Sequence, residues 1–351
     1  MIGTRILTLE RDVGQKLNTP DIWLSVLIAG AIFIFFGTIS ARLSRMFPGE
    51  TIFQYSKTIT GKFFGLLLSM AIIIFYTFIS GYEVRILSEL VHTYLLLRTP
   101  KEVVIIIFIC VGTYLVVGGI NLIARTFQLY LPVILIILLS ILFMGMIEFE
   151  LENLMPVLGK GILPVIESAK ATSLSFIGFG VIAVITAFMK NPGKAVNAVV
   201  AGIAIPIVVY VISAIIIVGV LTIDEVKTLT WPLASFVNAI EYPGGFVENF
   251  QVFFLIVWIL AIYTTFVGTH YIASIGLSQV FNKDFGIFVY ALNPLIYIIA
   301  LFPGNIMETF SMGSRLGYIG LAIEGLVPVV LLIIARIRKK GWYKRKEGGT
   351  G

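Results

Sequence analysis

Long apolar runs alternate with short polar connections along the chain, at about 22–41, 63–97, 102–119, 128–147, 168–189, 195–221, 249–280, 286–302 and 317–335. Each approaches or exceeds the roughly 20 residues that a helix needs to cross a bilayer. The pattern therefore predicts nine spanning helices, the run at 63–97 being long enough for strong tilt or an extension beyond the membrane. Irregular segments are expected at 148–162 and 222–247, the second with Trp231-Pro232 and Tyr242-Pro243-Gly244-Gly245 as the setting for a short re-entrant or interfacial helix.

Composition points the same way. Of 351 residues, 58% are hydrophobic and 13% charged, too few charges to cover so much apolar surface in water. The net charge of +6 would suit nucleic acid if it were spread over a polar surface. Much of it lies instead in Arg336, Arg338, Lys339, Lys340, Lys344, Arg345 and Lys346, just after the last run. That is the place for an orientation signal, with anionic membrane lipid as partner and no nucleic acid. Arg42, Arg45, Lys57, Lys62, Arg125, Lys190, Lys194 and Lys283 fall in connections on the same side. The opposite connections carry Glu148, Glu150, Glu152, Asp224, Glu225, Glu241 and Glu248. The basic side, with the C-terminus, is expected to be cytoplasmic.

Nine spans with a cytoplasmic C-terminus leave residues 1–17 outside or within the membrane, and they are too short and too charged to cross alone. They read as the outer half of a helix whose inner half is absent from this chain; the other reading is an external amphipathic helix. Counting that segment as the first helix gives ten, in two five-helix halves. The expected fold is an all-α integral membrane protein, a single ten-helix, 5+5 inverted-repeat, transporter-like bundle. Its first helix is truncated and helices one and six are broken. Residues 1–147 form the first repeat, 148–335 the second and 336–351 a basic tail. The breaks are placed at Gly3-Thr4 and at Gly178-Phe179-Gly180, equivalent positions in the two repeats and a pointer to a central site.

The segment around helix six is the most informative. A polar, Pro- and Gly-bearing lead-in runs into an apolar helix whose middle reads Ser175-Phe176-Ile177-Gly178-Phe179-Gly180. A membrane helix interrupted there frees donors and acceptors that a ligand, an ion or cavity-lining backbone must satisfy. Half-helix N-termini favour a carboxylate and free carbonyls an ammonium or cation, so together they suit a zwitterionic amino acid. The plainer alternative is that Gly178 and Gly180 only permit close helix packing.

Polar groups within spans are costly and therefore candidates for function. On the third helix Tyr76, Ser80 and Glu83 share one face, with Glu83 either a structural anchor or part of a water or ion path. Arg85 and Glu89, at i,i+4, are expected to pair structurally. On the eighth helix Thr264, Thr265, Thr269, His270 and Ser274 form a polar strip. Thr265 and Thr269 are placed to face the interior, and His270 reads as a packing group. Neither catalysis nor metal binding is expected. Two distant histidines, one cysteine (Cys110, within a span) and no clustered carboxylates offer no triad or ligand set, and no phosphate loop or cofactor motif is present.

Several motifs in order resemble the spore germinant receptor B subunit, the endospore germination permease family of the amino acid–polyamine–organocation transporter superfamily. They are Leu7-Thr8-Leu9 with Arg11, Asn18-Thr19-Pro20-Asp21-x-Trp23, Asn153-Leu154-x-Pro156-Val157-Leu158-Gly159-x-Gly161 and Val226-Lys227-Thr228-Leu229-x-Trp231-Pro232. Glu83-x-Arg85, Thr264-Thr265-Phe266-Val267 and Leu316-Gly317-Tyr318-Ile319 complete the set. The resemblance implies a nutrient-sensing subunit in the inner membrane of the bacterial endospore, not an enzyme. It implies a membrane-bound A subunit and a lipid-anchored C subunit as partners, and a small amino acid or other nutrient as ligand. It places the ligand pocket at Gly3, Ile79, Ile177, Gly178 and Thr265, with Tyr76 and Glu83 toward a water or ion path. Arg5 and Glu10 depart from the family pattern, which has a small residue and a proline there. A permease working by alternating access, or a decayed paralogue that no longer binds, are the other functions the sequence allows.

Overall fold

The computed structural model describes residues 7–239 and 250–341, and all regular structure among them is helical. In chain order the helices are α1 (Leu9–Leu17), α2 (Ile22–Arg45), α3 (Ile52–Thr60), α4 (Lys62–Tyr94), α5 (Lys101–Val117), α6 (Gly119–Met144) and α7 (Ile162–Ser168). They are followed by α8 (Ile182–Ile185), α9 (Ala195–Val226), α10 (Pro232–Ala239), α11 (Phe250–Phe281), α12 (Phe285–Leu301), α13 (Ile306–Gly320) and α14 (Val327–Ile337). The third predicted helix is α4 and the eighth α11. The tenth is α13 and α14 joined by a π turn at Leu321–Leu326, and it begins at Ile306, earlier than the apolar run starting at 317 suggests. Six helices among the described residues are long and apolar enough to cross a membrane, and α12 is apolar over 17 residues.

The chain forms two compact units, each drawing on both sequence halves: residues 1–31, 124–176 and 204–265 in one, 32–123, 177–203 and 266–351 in the other. The first unit gathers the long connections around α1. Leu9, Val13 and Leu17, one turn apart, are buried, and α1 ends where Asn18 takes a left-handed conformation at φ 52° and donates its N–H to the Gly14 carbonyl. Asp21 then accepts from the Leu158 amide at 2.9 Å, and Lys160 donates to the Asn18 carbonyl at 3.2 Å. Lys227 donates to Asn18 Oδ1 at 2.7 Å, and Arg11 to the Thr230 carbonyl at 3.3 Å. Three motifs far apart in sequence are thus sewn together by backbone and side-chain polar groups. α9 is regular up to Thr222, where φ of 62° in a β-branched residue marks a kink. The short helix anticipated in 222–247 is α10; residues 240–249 lie outside the described residues.

In the second unit α4 is the central helix. Its buried Arg85 and Glu89 pair at 2.9 Å, and Lys101 completes the cluster at 2.7 Å from the same carboxylate. The i,i+4 pair is as expected, with Lys101 at the start of α5 as an added partner. Ser80 meets Thr269 of α11 at 2.8 Å, and His270 bonds the Val289 carbonyl at 3.1 Å, a packing contact as anticipated. The connection between α2 and α4 is not a plain loop. Thr51 and Gln54 form a capping box at the start of α3, a Thr-x-x-Gln signal present in the sequence. Gly61, at φ 99°, makes the turn into α4, and a methyl on Gly65 would stand 2.5 Å from Lys57 Cα. Arg338 donates to the Ile59 carbonyl at 2.9 Å and Lys340 to that of Thr58 at 2.6 Å. These bonds fasten the start of the basic tail to α3, on the side where the sequence grouped Lys57 and Lys62.

Gly81 lets α4 approach α12 closely: a methyl there would lie 2.7 Å from Ile299 Cβ. Gly81→Ala is expected to cost about 1–3 kcal/mol through overpacking, read as a lowered unfolding temperature of the purified protein in detergent.

Candidate ligand site at the broken helix

The predicted sixth helix is scarcely α-helical. Residues Ala169–Phe176 form a 3₁₀ helix, Phe179–Val181 another, α8 supplies four α-helical residues, and Thr186–Phe188 closes in 3₁₀ geometry. The interruption falls at Gly178, whose φ of 108° lies in the left-handed region that only glycine adopts freely. The break expected at Gly178-Phe179-Gly180 is present. In the first unit, the Ser175 carbonyl that the interruption frees accepts from the Tyr210 hydroxyl at 3.2 Å.

In the second unit the freed amides are met by a residue that sequence reasoning passed over. The Gly178 amide donates to Glu324 Oε2 at 2.9 Å and the Gly180 amide to the same oxygen at 3.1 Å. Tyr76 Oη donates to Glu324 Oε1 at 2.7 Å. The sequence reading expected a ligand's carboxylate at these amides; here the carboxyl group they meet comes from the protein itself. A buried polar group left without its partner costs about 1–3 kcal/mol, so releasing all three donors from a group that is 2% exposed would cost several kcal/mol. That exceeds the roughly 4 kcal/mol of a millimolar ligand.

The sequence explains how Glu324 arrives there. Pro328 has no N–H to give to the carbonyl four residues earlier, that of Glu324, and its ring collides with that carbonyl in regular α geometry. The helix takes up the conflict in the π turn Leu321–Leu326, a feature that often accompanies functional sites. Gly180 completes the fit. A methyl on it would stand 2.6 Å from Glu324 Cγ and 2.8 Å from Cδ, so only glycine leaves room for the side chain to reach the amides. The clue in the sequence was that Glu324 is the one acidic residue within the 317–335 run, and a lone carboxylate in a span is a site candidate by default.

The other expected site residues are distributed as follows. Ile177 is buried beside Gly320 of α13, where a methyl would meet Ile177 Cδ1 at 2.6 Å and Phe75 Cζ at 3.0 Å. Ile79 is buried on α4, one turn beyond Tyr76, and Glu83 is buried a further turn on. Tyr76, Gly178 and Gly180 are therefore joined through Glu324. Thr265 belongs to the other compact unit and donates to the Ala261 carbonyl within α11 at 3.1 Å. Gly3, with Thr4 and Arg5, lies outside the described residues. Glu10, the second departure from the family pattern, is buried in the first unit and accepts from Ser213 Oγ at 2.8 Å. No group of His, Cys, Asp and Glu among the described residues is arranged to hold a metal ion.

Comparison with known proteins places this geometry in context. A family model described as "spore germination protein" matches residues 1–309. Spore germination protein YndE of Bacillus subtilis (strain 168) is 39% identical over 97% of this chain and 94% of its own length. Spore germination protein A2 of the same organism is 35% identical over 97% and 93%. GerLB of Bacillus cereus is 26% identical over 100% and 93%. Among solved structures, MhsT in complex with L-phenylalanine superposes with a TM-score of 0.63 at 11% identity, over 95% of this chain and 94% of that one. Mhp1, a nucleobase-cation-symport-1 family transporter, gives a TM-score of 0.56 at 15% identity, over 93% and 74%. The fold is shared with these two structures.

Gly180→Ala is expected to force Glu324 off the two amides and lower stability by about 3 kcal/mol or more, the overpacking and the lost hydrogen bonds together. A methyl on exposed Gly202 of α9 would meet nothing within 4 Å. Gly202→Ala should therefore leave stability equal or raise it by up to about 1 kcal/mol. Thermal unfolding of both variants in the same detergent measures the contrast.

Proposed function

The chain belongs to the spore germination protein family, and from that premise we propose that it is the nutrient-sensing, B-type subunit of a germinant receptor in the inner membrane of a bacterial endospore. It is a multi-pass membrane protein of a receptor- and transporter-like family rather than of an enzyme class. In this reading it binds a small amino acid at the broken sixth helix and passes a conformational change to membrane-bound A and lipid-anchored C partner subunits. The observation that carries the reading is the interruption itself: a left-handed Gly178 beside buried Ile177, with two backbone amides and the Tyr76 hydroxyl converging on one buried carboxylate. A transporter-type bundle keeps such a polar cluster in its interior for a ligand or an ion. Buried Ile79 and Ile177 supply apolar surface and favour a small hydrophobic side chain.

A second reading, amino acid transport by alternating access, has its support in the fold shared with MhsT, a protein solved with L-phenylalanine bound. Fold does not separate sensing from transport. Uptake of labelled amino acids into proteoliposomes holding this subunit alone does: concentrative, ion-coupled uptake favours transport, and its absence favours sensing.

The sensing reading is tested on spores. Deletion of the gene is expected to abolish germination in response to a restricted set of nutrients while other germination routes persist. Gly178→Val places a β-branched residue at φ 108°. It is expected to reproduce the deletion phenotype with protein levels intact by immunoblot. A full response from spores carrying either change would remove the proposed role.

A further inference from the structure

A buried carboxyl group is accommodated by meeting a cation, by collecting several donors, or by keeping its proton. Glu89 takes the first course, with Arg85 and Lys101 on its oxygens. Asp21 takes the second, with the Thr19 hydroxyl and the Leu158 amide, as does Glu324 with its three donors. Glu10 of α1 has neither. It is fully buried, its Oε1 accepts from Ser213 Oγ of α9 at 2.8 Å, and its Oε2 has no partner among the described residues.

The charged groups around Glu10 do not neutralise it. Glu10 and Gly14, one turn apart, share a face of α1. That face lies against α9, where a methyl on Gly14 would stand 3.2 Å from Ile223 Cδ1 and 3.9 Å from Lys227 Cβ. The Lys227 ammonium is committed at the far end of α1, to Asn18 Oδ1 at 2.7 Å and to Asp224 at 2.6 Å. Asn18 is eight residues on from Glu10, about 12 Å along a helix. Arg11 pairs with Asp12 at 2.9 Å and reaches the Thr230 carbonyl, and Lys16 is exposed. The 3₁₀ run Ala169–Phe176 and α7 also pack on α1; their charged residues, Lys170 and Glu167, are both exposed. The charge that does act on Glu10, that of Asp12, is negative and opposes a second negative charge beside it.

We propose that Glu10 is a proton-binding site that controls the docking of α1: its carboxyl holds a proton on Oε2 while Oε1 keeps its bond to Ser213, and loss of that proton to water loosens α1 from α9. A neutral carboxyl still leaves one hydroxyl without an acceptor, a smaller penalty than an anion held by a single donor. The switch has a route to the broken helix. Tyr210 lies three residues before Ser213 on α9, so the two share a face, and the Tyr210 hydroxyl holds the Ser175 carbonyl that the interruption frees. One face of α9 thus joins the α1 carboxyl to the broken helix within the first unit. The assignment is independent of the choice between sensing and transport.

The test is infrared difference spectroscopy of the full-length protein in lipid nanodiscs, wild type minus Glu10→Gln near neutral pH. The glutamine keeps an oxygen for Ser213 and cannot ionise. The expected difference is a protonated-carboxyl C=O band that shifts in deuterated water; Glu324 is present in both proteins and cancels. Thermal unfolding from acidic to alkaline pH is the second readout. The folded state holds a proton that the unfolded chain gives up above about pH 4.3, so stability falls as pH rises until the folded state loses the proton as well. Within that window wild type is expected to lose up to about tenfold in its folded-to-unfolded ratio per pH unit relative to Glu10→Gln. Ser213→Ala removes the donor to Oε1, and the band is expected to move to higher frequency, a change that a merely structural role for Glu10 would not produce. Should Glu10→Gln fail to purify, wild type against Ser213→Ala decides alone, and a band that does not move overturns the proposal. Carboxylate bands in place of the protonated one in the Glu10→Gln difference also overturn it, as does the same pH dependence of stability in wild type and Glu10→Gln.

Discussion

A backbone amide inside hydrocarbon has no water to turn to, and this one constraint organises the molecule. Most of the chain meets it with uninterrupted helices. Where the sixth helix is interrupted at Gly178, the freed groups must find partners, and those partners recruit other elements: Tyr210 for the Ser175 carbonyl, Glu324 for the Gly178 and Gly180 amides. Glu324 in turn engages Tyr76 on α4. An interruption in one helix thus obliges the last helix and the central helix of the second unit to carry polar groups at matching depth.

Spans were legible because apolar run length measures membrane thickness directly. The start of the last helix was not, because Ile306–Leu316 mixes Glu308, Ser311, Ser314 and Arg315 into a helix that begins beyond the apolar run. The broken helix was legible through its two glycines, and so was the need of the amides they free for an acceptor. What could not be read was the identity of the acceptor. Glu324 lies 144 residues along the chain from Gly180, and no local spacing rule connects them. The same holds for Lys101, whose bond to Glu89 depends on how α5 returns along α4. Pairs within one helix, such as Arg85 and Glu89, were predictable from the helical period alone.

The motifs that carried the family resemblance divide by physical role. Those at Asn18–Asp21, around Leu158–Lys160 and at Lys227–Thr230 meet each other through main-chain and side-chain hydrogen bonds in the first unit. They specify how long connections close over α1, a task in which a few polar atoms must be placed accurately and apolar content matters little. The site in the second unit uses glycine, tyrosine and glutamate, which left a weaker imprint because each is common on its own.

The π turn in the last helix has a consequence for the helix as a whole. Before it, Gly313 lies against Tyr82 and Gly320 against Ile177; at its end Gly325 faces Phe36, and beyond it Arg338 reaches Ile59. A single extra residue in a turn offsets the side-chain register by about 100°. The two ends of this helix thus follow two different azimuths, one set by α4 and the broken helix and the other by α2 and α3, and Glu324 stands where they change over. A straight α-helix of the same composition could satisfy one set of neighbours or the other. The wide turn imposed by Pro328 lets one helix serve both.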